Sequence, residues 1–202
     1  MQAVMKHLVI ILSFFFTTFC FGQTFNRQDN ETAINFVKRV TKLDTFPHPI
    51  IETNEWDTLR KTIIYFSPTS TGDEINIIGY LLVPVTSTKY KQVLIDTFFQ
   101  EGADPRIETV FFANADKDKE REIIILVSWA QLHRGAGIFG TLYGTYIYDN
   151  PKVAVSEDKL KFYKGLSDKL DGGFEGDRDG KIVKARYKSV GSIRKALRAL
   201  GY

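Results

Sequence analysis

A short acidic segment in the middle of the chain is the part whose residue types most directly suggest chemistry. It places side-chain oxygens at alternate positions, on Asn114, Asp116 and Asp118, and adds Glu122 four residues later. Calcium-binding loops favour this alternation because successive carboxylates can turn inward onto one hard cation. These four residues are therefore the candidate metal ligands of the sequence.

The same segment resembles the Asp-rich loops between strands of integrin-like FG-GAP repeats, but two features argue against a tight site. Lys119 stands where glycine usually makes the sharp turn, and Lys117 and Arg121 also place positive charge among the carboxylates. Turn composition alone accounts for polar residues at such a position. The sequence thus predicts a solvated hairpin turn, with no tight calcium site and no cofactor.

A glycine-rich segment with a single histidine is the second candidate site. It follows a predicted strand that ends in Trp129, and it carries His133 and Arg134 ahead of Tyr143. Glycines let a backbone approach a ligand closely, and a histidine can act as acid, base or ligand near neutral pH. We take these four residues as candidate binding residues. Because lone histidines seldom catalyse, the favoured interpretation is that His133 hydrogen-bonds the loop and holds its shape.

No recognisable catalytic motif completes this segment. The chain has neither a Gly-x-Ser-x-Gly elbow nor a His-Glu-x-x-His pair, and His48 is the only other histidine after residue 22. The alternative is an envelope-acting hydrolase in which His133 and a carboxylate from Asp116, Asp118 or Glu122 act as acid and base. The sequence favours a protein without catalysis and leaves this enzyme as the alternative.

The C-terminal part of the chain is rich in cations, and no acidic residue follows Asp179. Lys184, Arg186 and Lys188 alternate along a predicted strand, 182–187, so they are expected to share one face. Such a local field can attract an acidic protein or an anionic envelope polymer. These three cations complete the set of candidate binding residues, with an ordinary solvated surface as the alternative.

The first 22 residues have the layout of a secretory signal peptide. Lys6 precedes a short apolar run, Leu8–Phe21, and Gly22 follows as a small residue before the cut. The run is shorter than the ~20 apolar residues that a membrane span needs. We therefore expect cleavage near Gly22, a location in the periplasm or outside the cell, and no transmembrane segment after signal removal.

Charge and cysteine content narrow the class of protein further. The chain has 27 basic and 24 acidic residues, a balance that gives no case for nucleic-acid binding. Its one cysteine, Cys20, lies inside the predicted signal, so the mature chain has no disulfide. Cys20 would carry a lipid in a bacterial lipoprotein, but bulky Phe19 stands where such proteins usually have a small residue. Soluble export is the favoured interpretation.

The hydrophobic pattern predicts one α+β domain over residues 23–202. Helical spacing marks three segments, Glu31–Leu43, Ser156–Leu170 and Ser189–Leu200. Strand-like composition marks Thr62–Phe66, Ile75–Val85, Gln92–Phe98, Thr109–Ala113, Glu122–Trp129 and Thr141–Tyr148. The breaks between these strands are too short for crossover helices, so the strands should pair as an antiparallel meander. We expect a single sheet with the N- and C-terminal helices packed on one face.

In its second half the chain resembles a family of exported bacterial proteins of unknown function. The matching pieces are Asp116-x-Asp118-x-x-x-Glu122, Ser128-Trp129, His133, Gly140-Thr141-Leu142-Tyr143, Tyr148-Asp149, Phe174-Glu175-Gly176, and Tyr187-Lys188 through Ile193-Arg194 to Leu200-Gly201-Tyr202. The resemblance implies export and brings no catalytic residue. Together with the residue patterns, it predicts a periplasmic, non-catalytic binding protein. Its partner would be another protein, in the manner of an inhibitor or immunity factor, or an anionic envelope component.

Overall fold

The computed structural model describes residues 23–151 and 158–202. The predicted signal peptide, Cys20 and the first residues of the predicted helix Ser156–Leu170 lie outside these ranges. Among the described residues, no helix is long and apolar enough to cross a membrane.

Two antiparallel sheets form the body of the molecule. The first contains β1 (Thr24–Asn26), β2 (Ile51–Thr53), β3 (Thr62–Thr71), β4 (Glu74–Pro84) and β5 (Lys89–Phe98), in the spatial order β1-β5-β4-β3-β2. The second contains β6 (Pro105–Ala113), β7 (Glu122–His133), β8 (Ile138–Tyr148), β9 (Gly173–Arg178) and β10 (Lys181–Val183), in the order β10-β9-β8-β7-β6. The helices are α1 (Ala33–Thr41), α2 (Lys164–Lys169) and α3 (Val190–Ala199), and a 3-10 turn over Arg134–Ala136 joins β7 to β8.

The main core lies between the two sheets. Side chains of the first sheet such as Ile64 and Phe66 pack in one cluster with Ile123, Ile125 and Trp129 of β7. Successive side chains of a strand point to opposite faces. The residues that alternate with these core residues along each strand therefore lie on the outer faces of the two sheets.

Helices cover the two outer faces. Phe36 of α1 packs with Ile63 and Tyr65 on the first sheet, whereas Ile193 of α3 packs with Ile124 on the second. Thr32 caps α1 by accepting from the Asn35 amide, and Ser189 forms a capping box with Ser192 at the start of α3. The layers therefore run helix, sheet, sheet, helices.

The expectation of antiparallel strands with helices towards both ends is confirmed in its coarse form. The molecule is largely β, so the α+β description holds only in part. A single sheet with the helices on one face is wrong, because β5 does not pair with β6 and each sheet has its own helix cover. The apolar run of β7 needs cover on both faces, and here a second sheet supplies one of them.

The predicted strand 182–187 is also wrong in its extent, since β10 ends at Val183. Lys184, Arg186 and Lys188 follow in an irregular segment, although all three side chains are exposed. Three short strands, β1, β2 and β9, were not predicted, because their sequences show no clear alternation of apolar and polar residues.

One extended segment connects the two sheets. The Leu94 amide of β5 donates to Asp158 O at 2.8 Å, and the Asp149 amide beyond β8 donates to Lys161 O at 2.9 Å. The Tyr163 amide then donates to Ile147 O at 2.9 Å. This segment brings Tyr163 next to the end of β8, where the acidic loop also lies.

Candidate functional site

Four carboxylates meet where the β6–β7 loop lies beside the end of β8. Ile123 pairs with Tyr148, so Glu122 and Asp149 are adjacent one residue beyond that pair. One oxygen from each of Asp116, Asp118, Glu122 and Asp149 lies within 4.8 Å of the others. We call these four residues the acidic cluster.

The cluster differs by one member from the ligand set suggested by sequence. The Asn114 side-chain nitrogen donates to Asp118 O at 2.7 Å, so this side chain shapes the loop. Asp149 takes the fourth place. Sequence reasoning missed it because its proximity depends on the β7–β8 register, which only the paired strands define.

Glu122 is the buried member of the cluster. Its Oε2 accepts a hydrogen bond from the Ala115 amide at 2.5 Å, while its buried Oε1 has no hydrogen-bond partner among the described residues. Desolvation by burial raises the pKa of Glu122 to about 7, although the hydrogen bond from the Ala115 amide acts in the opposite direction. The nearby charges of Asp116 and Asp118 raise this pKa further.

Neighbouring groups hold the other carboxylates in place. The Tyr163 hydroxyl donates to Asp116 Oδ2 at 2.8 Å, and backbone amides donate to Asp116 Oδ1 and Asp118 Oδ1, both at 2.8 Å. Burial, followed by hydrogen bonds to Asp116 and Asp149, raises the pKa of Tyr163, which keeps this hydroxyl a donor. Lys161 Nζ lies 3.8 Å from Asp149 Oδ2.

The two sequence features that argued against a cation site do not act here as expected. Lys119 has no positive φ, so the loop turns without the glycine that seemed to be missing. Arg121 is drawn away to Glu55, with 3.2 Å between Nη1 and Oε1. Lys117 and Lys119 are exposed, and neither forms an ion pair with a carboxylate of the described residues.

The proposed acid–base pairing of His133 with a cluster carboxylate is not formed. Glu122 begins β7 and His133 ends it. At a rise of ~3.3 Å per residue the two are about 36 Å apart. Asp116 and Asp118 lie with Glu122, so they are equally remote. His133 is exposed, and its Nε2 lies 3.3 Å from Gln131 Oε1.

Two of the candidate binding residues, Trp129 and Tyr143, pack in hydrophobic clusters. Trp129 is buried between the sheets, and its Nε1 donates to Phe99 O at 2.8 Å. Tyr143 is half-buried and packs in the cluster beneath the C-terminal helices. Placing Trp129 on a binding surface is therefore a correction to the sequence interpretation, since its ring is not accessible to a partner.

The three cations after β10 are exposed but differ in their contacts. Lys188 forms an ion pair with Glu175, which neutralises much of its charge. The Arg186 guanidinium lies 6.0 Å from the centre of the Tyr187 ring, and Lys184 has no ion pair with a described carboxylate. A cleft of about 250 Å³ is lined by three arginines, Arg121, Arg194 and Arg198.

An uncovered apolar row crosses the far end of the second sheet. Leu132 of β7 pairs with Phe139 of β8, which pairs with Asp177 of β9, which in turn pairs with Ile182 of β10. Directly paired residues share a face, so Leu132 and Phe139 are neighbours, and Ile182 lies on the same face beyond Asp177. They are 62%, 44% and 72% exposed. We call these three residues the apolar row.

Cations outnumber carboxylates at the same end of the sheet, where Asp177 and Asp179 also lie. In the adjacent row, His133 pairs with Ile138, Ile138 pairs with Arg178, and Arg178 pairs with Lys181. The side chains of this row point to the opposite face of the sheet. Arg134 lies at the hairpin tip, and Lys184 follows β10 directly. Sequence reasoning selected some of these cations but missed the apolar row, whose members come from three separate segments.

No match to this chain was found among models of protein families, curated proteins or solved structures.

Proposed function

We propose that the protein is an exported, non-catalytic binding protein that contacts an acidic protein partner at the far end of its second sheet. The apolar row is the observation that carries this proposal. A single exposed leucine is ordinary on a protein surface, but several large apolar side chains exposed on one face are typical of interaction sites.

The charges around the row favour the kind of partner. Arg134 and Lys184 flank it on the chain, and Arg178 and Lys181 lie on the opposite face of the same strands. Asp177 sits within the row, but its Oδ1 accepts from the Gly180 amide at 2.7 Å and is thereby part of the turn. Cations outnumber carboxylates at this end of the sheet, and this excess favours a partner whose contact surface carries carboxylates.

The alternative of an envelope hydrolase loses its catalytic pair. General acid–base catalysis needs both groups within hydrogen-bond reach of one substrate. His133 and the carboxylates of Asp116 and Glu122 lie at opposite ends of β7. This separation argues against the hydrolase.

Export remains part of the proposal, and the start of the fold supports it. β1 begins at Thr24, and Gln23 O already accepts a hydrogen bond from the Gln92 amide at 2.8 Å. Cleavage after Gly22 would leave these contacts intact. Mass spectrometry of the native protein should find Gln23 as the N-terminal residue. A lipid on Cys20 or an intact leader would contradict this.

The binding proposal is tested by affinity capture from the native envelope with three baits. One is the unchanged protein, and the second carries Leu132→Ser and Ile182→Ser in the apolar row. The third carries Leu59→Ser, which alters a leucine that is 91% exposed but lies outside the row. The proposal expects a partner that the first and third baits retain and the second loses. Equal capture by all three would refute the role of the row.

The purified partner then permits a kinetic test of the charges. Electrostatic steering acts mainly on the association rate and is screened over a Debye length of ~8 Å at physiological ionic strength. Reversing Lys184 and Arg186 to glutamate should slow association and flatten its salt dependence. Lys188→Glu should have a smaller effect on the rate, because Glu175 already offsets Lys188. Association rates that change neither with salt concentration nor with the double reversal would contradict an acidic partner.

A further inference from the structure

We propose that Asp116, Asp118, Glu122 and Asp149 form a calcium site that ties the β6–β7 loop to the end of β8. The site lies at the end of β7 opposite the apolar row. The inference does not depend on the proposed binding function.

The spacing of the cluster suits the size of the ion. Calcium binds oxygen at ~2.3–2.6 Å, so ligands on opposite sides of one ion are about 4.8 Å apart. The four carboxylate oxygens all lie within 4.8 Å of one another. Magnesium demands near-ideal octahedral geometry and usually keeps several waters, so a cluster of four carboxylates suits it less well than calcium. An all-oxygen set also disfavours zinc and copper, which take sulfur or imidazole readily.

Glu122 supplies an independent reason to expect a cation. It is fully buried, it contributes an oxygen to the cluster, and its Oε1 has no hydrogen-bond partner among the described residues. A buried carboxylate oxygen without a partner is energetically unfavourable, and buried charges are normally paired or bound to a metal. A calcium ion within the cluster would satisfy this oxygen and offset the repulsion among the four carboxylates.

The surroundings hold the ligands ready for the ion. The Ala115 amide fixes one oxygen of Glu122, and Tyr163 donates to Asp116 Oδ2. Backbone amides occupy the Oδ1 atoms of Asp116 and Asp118, which restricts the rotation of both carboxylates. Such outer contacts orient metal ligands and keep them from rearranging when the ion binds.

The test is a calorimetric titration of the purified, chelator-treated protein with calcium chloride. We expect saturable binding of one ion, with magnesium binding more weakly under the same conditions. Thermal unfolding should shift upward by about 3–5 °C at calcium concentrations near ten times Kd, and a chelator should reverse the shift.

Matched variants assign the binding to these residues. Glu122→Gln and Asp149→Asn each remove one ligand charge at nearly constant volume. Since even outer contacts of a metal site change affinity by ~10–100-fold, each variant should weaken binding at least tenfold. Glu120→Gln is the control, because Glu120 lies in the same loop but outside the cluster. It should change the affinity far less.

Terbium luminescence provides a second readout, because Tyr163 is close enough to the cluster to sensitise a bound lanthanide. Calcium should quench this signal by competition in the unchanged protein and in Glu120→Gln. Absence of calcium binding at millimolar concentration would overturn the proposal. So would equal affinity in the unchanged protein, folded Glu122→Gln and folded Asp149→Asn.

Discussion

Glu122 and Asp149 bring two carboxylates together at the end of the β7–β8 pair, one residue beyond the paired Ile123 and Tyr148. Glu122 is buried. Asp149 follows the end of β8, and its amide donates to Lys161 O of the connecting segment. Two carboxylates at this distance repel each other unless a proton or a cation lies between them. Lys161 Nζ lies 3.8 Å from Asp149 Oδ2 and offsets part of this repulsion, but the buried charge of Glu122 still destabilises the folded state.

Replacing Glu122 by glutamine should therefore stabilise the calcium-free protein. The substitution removes a buried charge and leaves a side chain that can donate as well as accept. We expect the free energy of unfolding to rise by about 1–2 kcal/mol at neutral pH with chelator present. Urea denaturation measures this, with Glu74→Gln, at an exposed position in β4, as a control that should change little. A clear loss of stability in Glu122→Gln would show that its charge is satisfied in some other way.

Trp129 should contribute to stability through its position between the sheets. Its side chain is buried, and its indole donates to Phe99 O at 2.8 Å. Trp129→Ala should lower the free energy of unfolding by about 3–5 kcal/mol. Trp129→Phe keeps most of the ring but leaves Phe99 O without this donor, so its effect should be smaller. Thermal melts that are unchanged by Trp129→Ala would contradict the buried position.

Gly140 allows β8 and β9 to approach closely. A Cβ at this position would lie 2.2 Å from Glu175 O and 2.5 Å from the Phe174 ring. The strand backbone cannot move aside easily, so Gly140→Ala should lower the free energy of unfolding by about 1–3 kcal/mol. Gly135→Ala is the matched control, since no atom lies within 4 Å of its added Cβ. Similar stability of both variants would refute the close approach.

The strands with long apolar runs could be predicted from sequence, whereas the number of sheets could not. Ile123–Val127 is apolar without interruption, which indicates cover on both faces but not what covers them. The switch from the first sheet to the second occurs between Phe98 and Pro105, in a short polar connection like those inside each sheet. Local composition carries no signal that separates a hairpin from a crossing between layers.

The acidic cluster shows the same limit at the level of a site. Asp116, Asp118 and Glu122 lie within one segment, so their proximity could be anticipated from spacing. Asp149 joins them through the β7–β8 register, and the burial of Glu122 depends on packing around the strand end. The exposed row of Leu132, Phe139 and Ile182 is likewise a product of strand pairing.

The ion pair between Glu31 and Arg39 should make stability depend on pH in the acid range. Arg39 donates to both oxygens of Glu31, at 2.7 and 2.8 Å, and these bonds are the main cause of a lowered Glu31 pKa. The folded state therefore binds the Glu31 proton less readily than the unfolded state, whose pKa lies near the ordinary 4.5. The stabilisation is present above that value and is lost as pH falls through the lower pKa of the folded state.

Glu31→Gln should remove this contribution and flatten the acid part of the stability profile. Because the Arg39 side chain is 36% exposed, solvent weakens the pair, and we expect a loss of about 1 kcal/mol at pH 7. Urea denaturation at a series of pH values between neutral and acid measures the effect. Glu74→Gln, at an exposed position in β4 with no ion pair to the described residues, should leave the profile unchanged. A Glu31→Gln profile parallel to that of the unchanged protein down to the lowest pH would show that the pair does not stabilise α1.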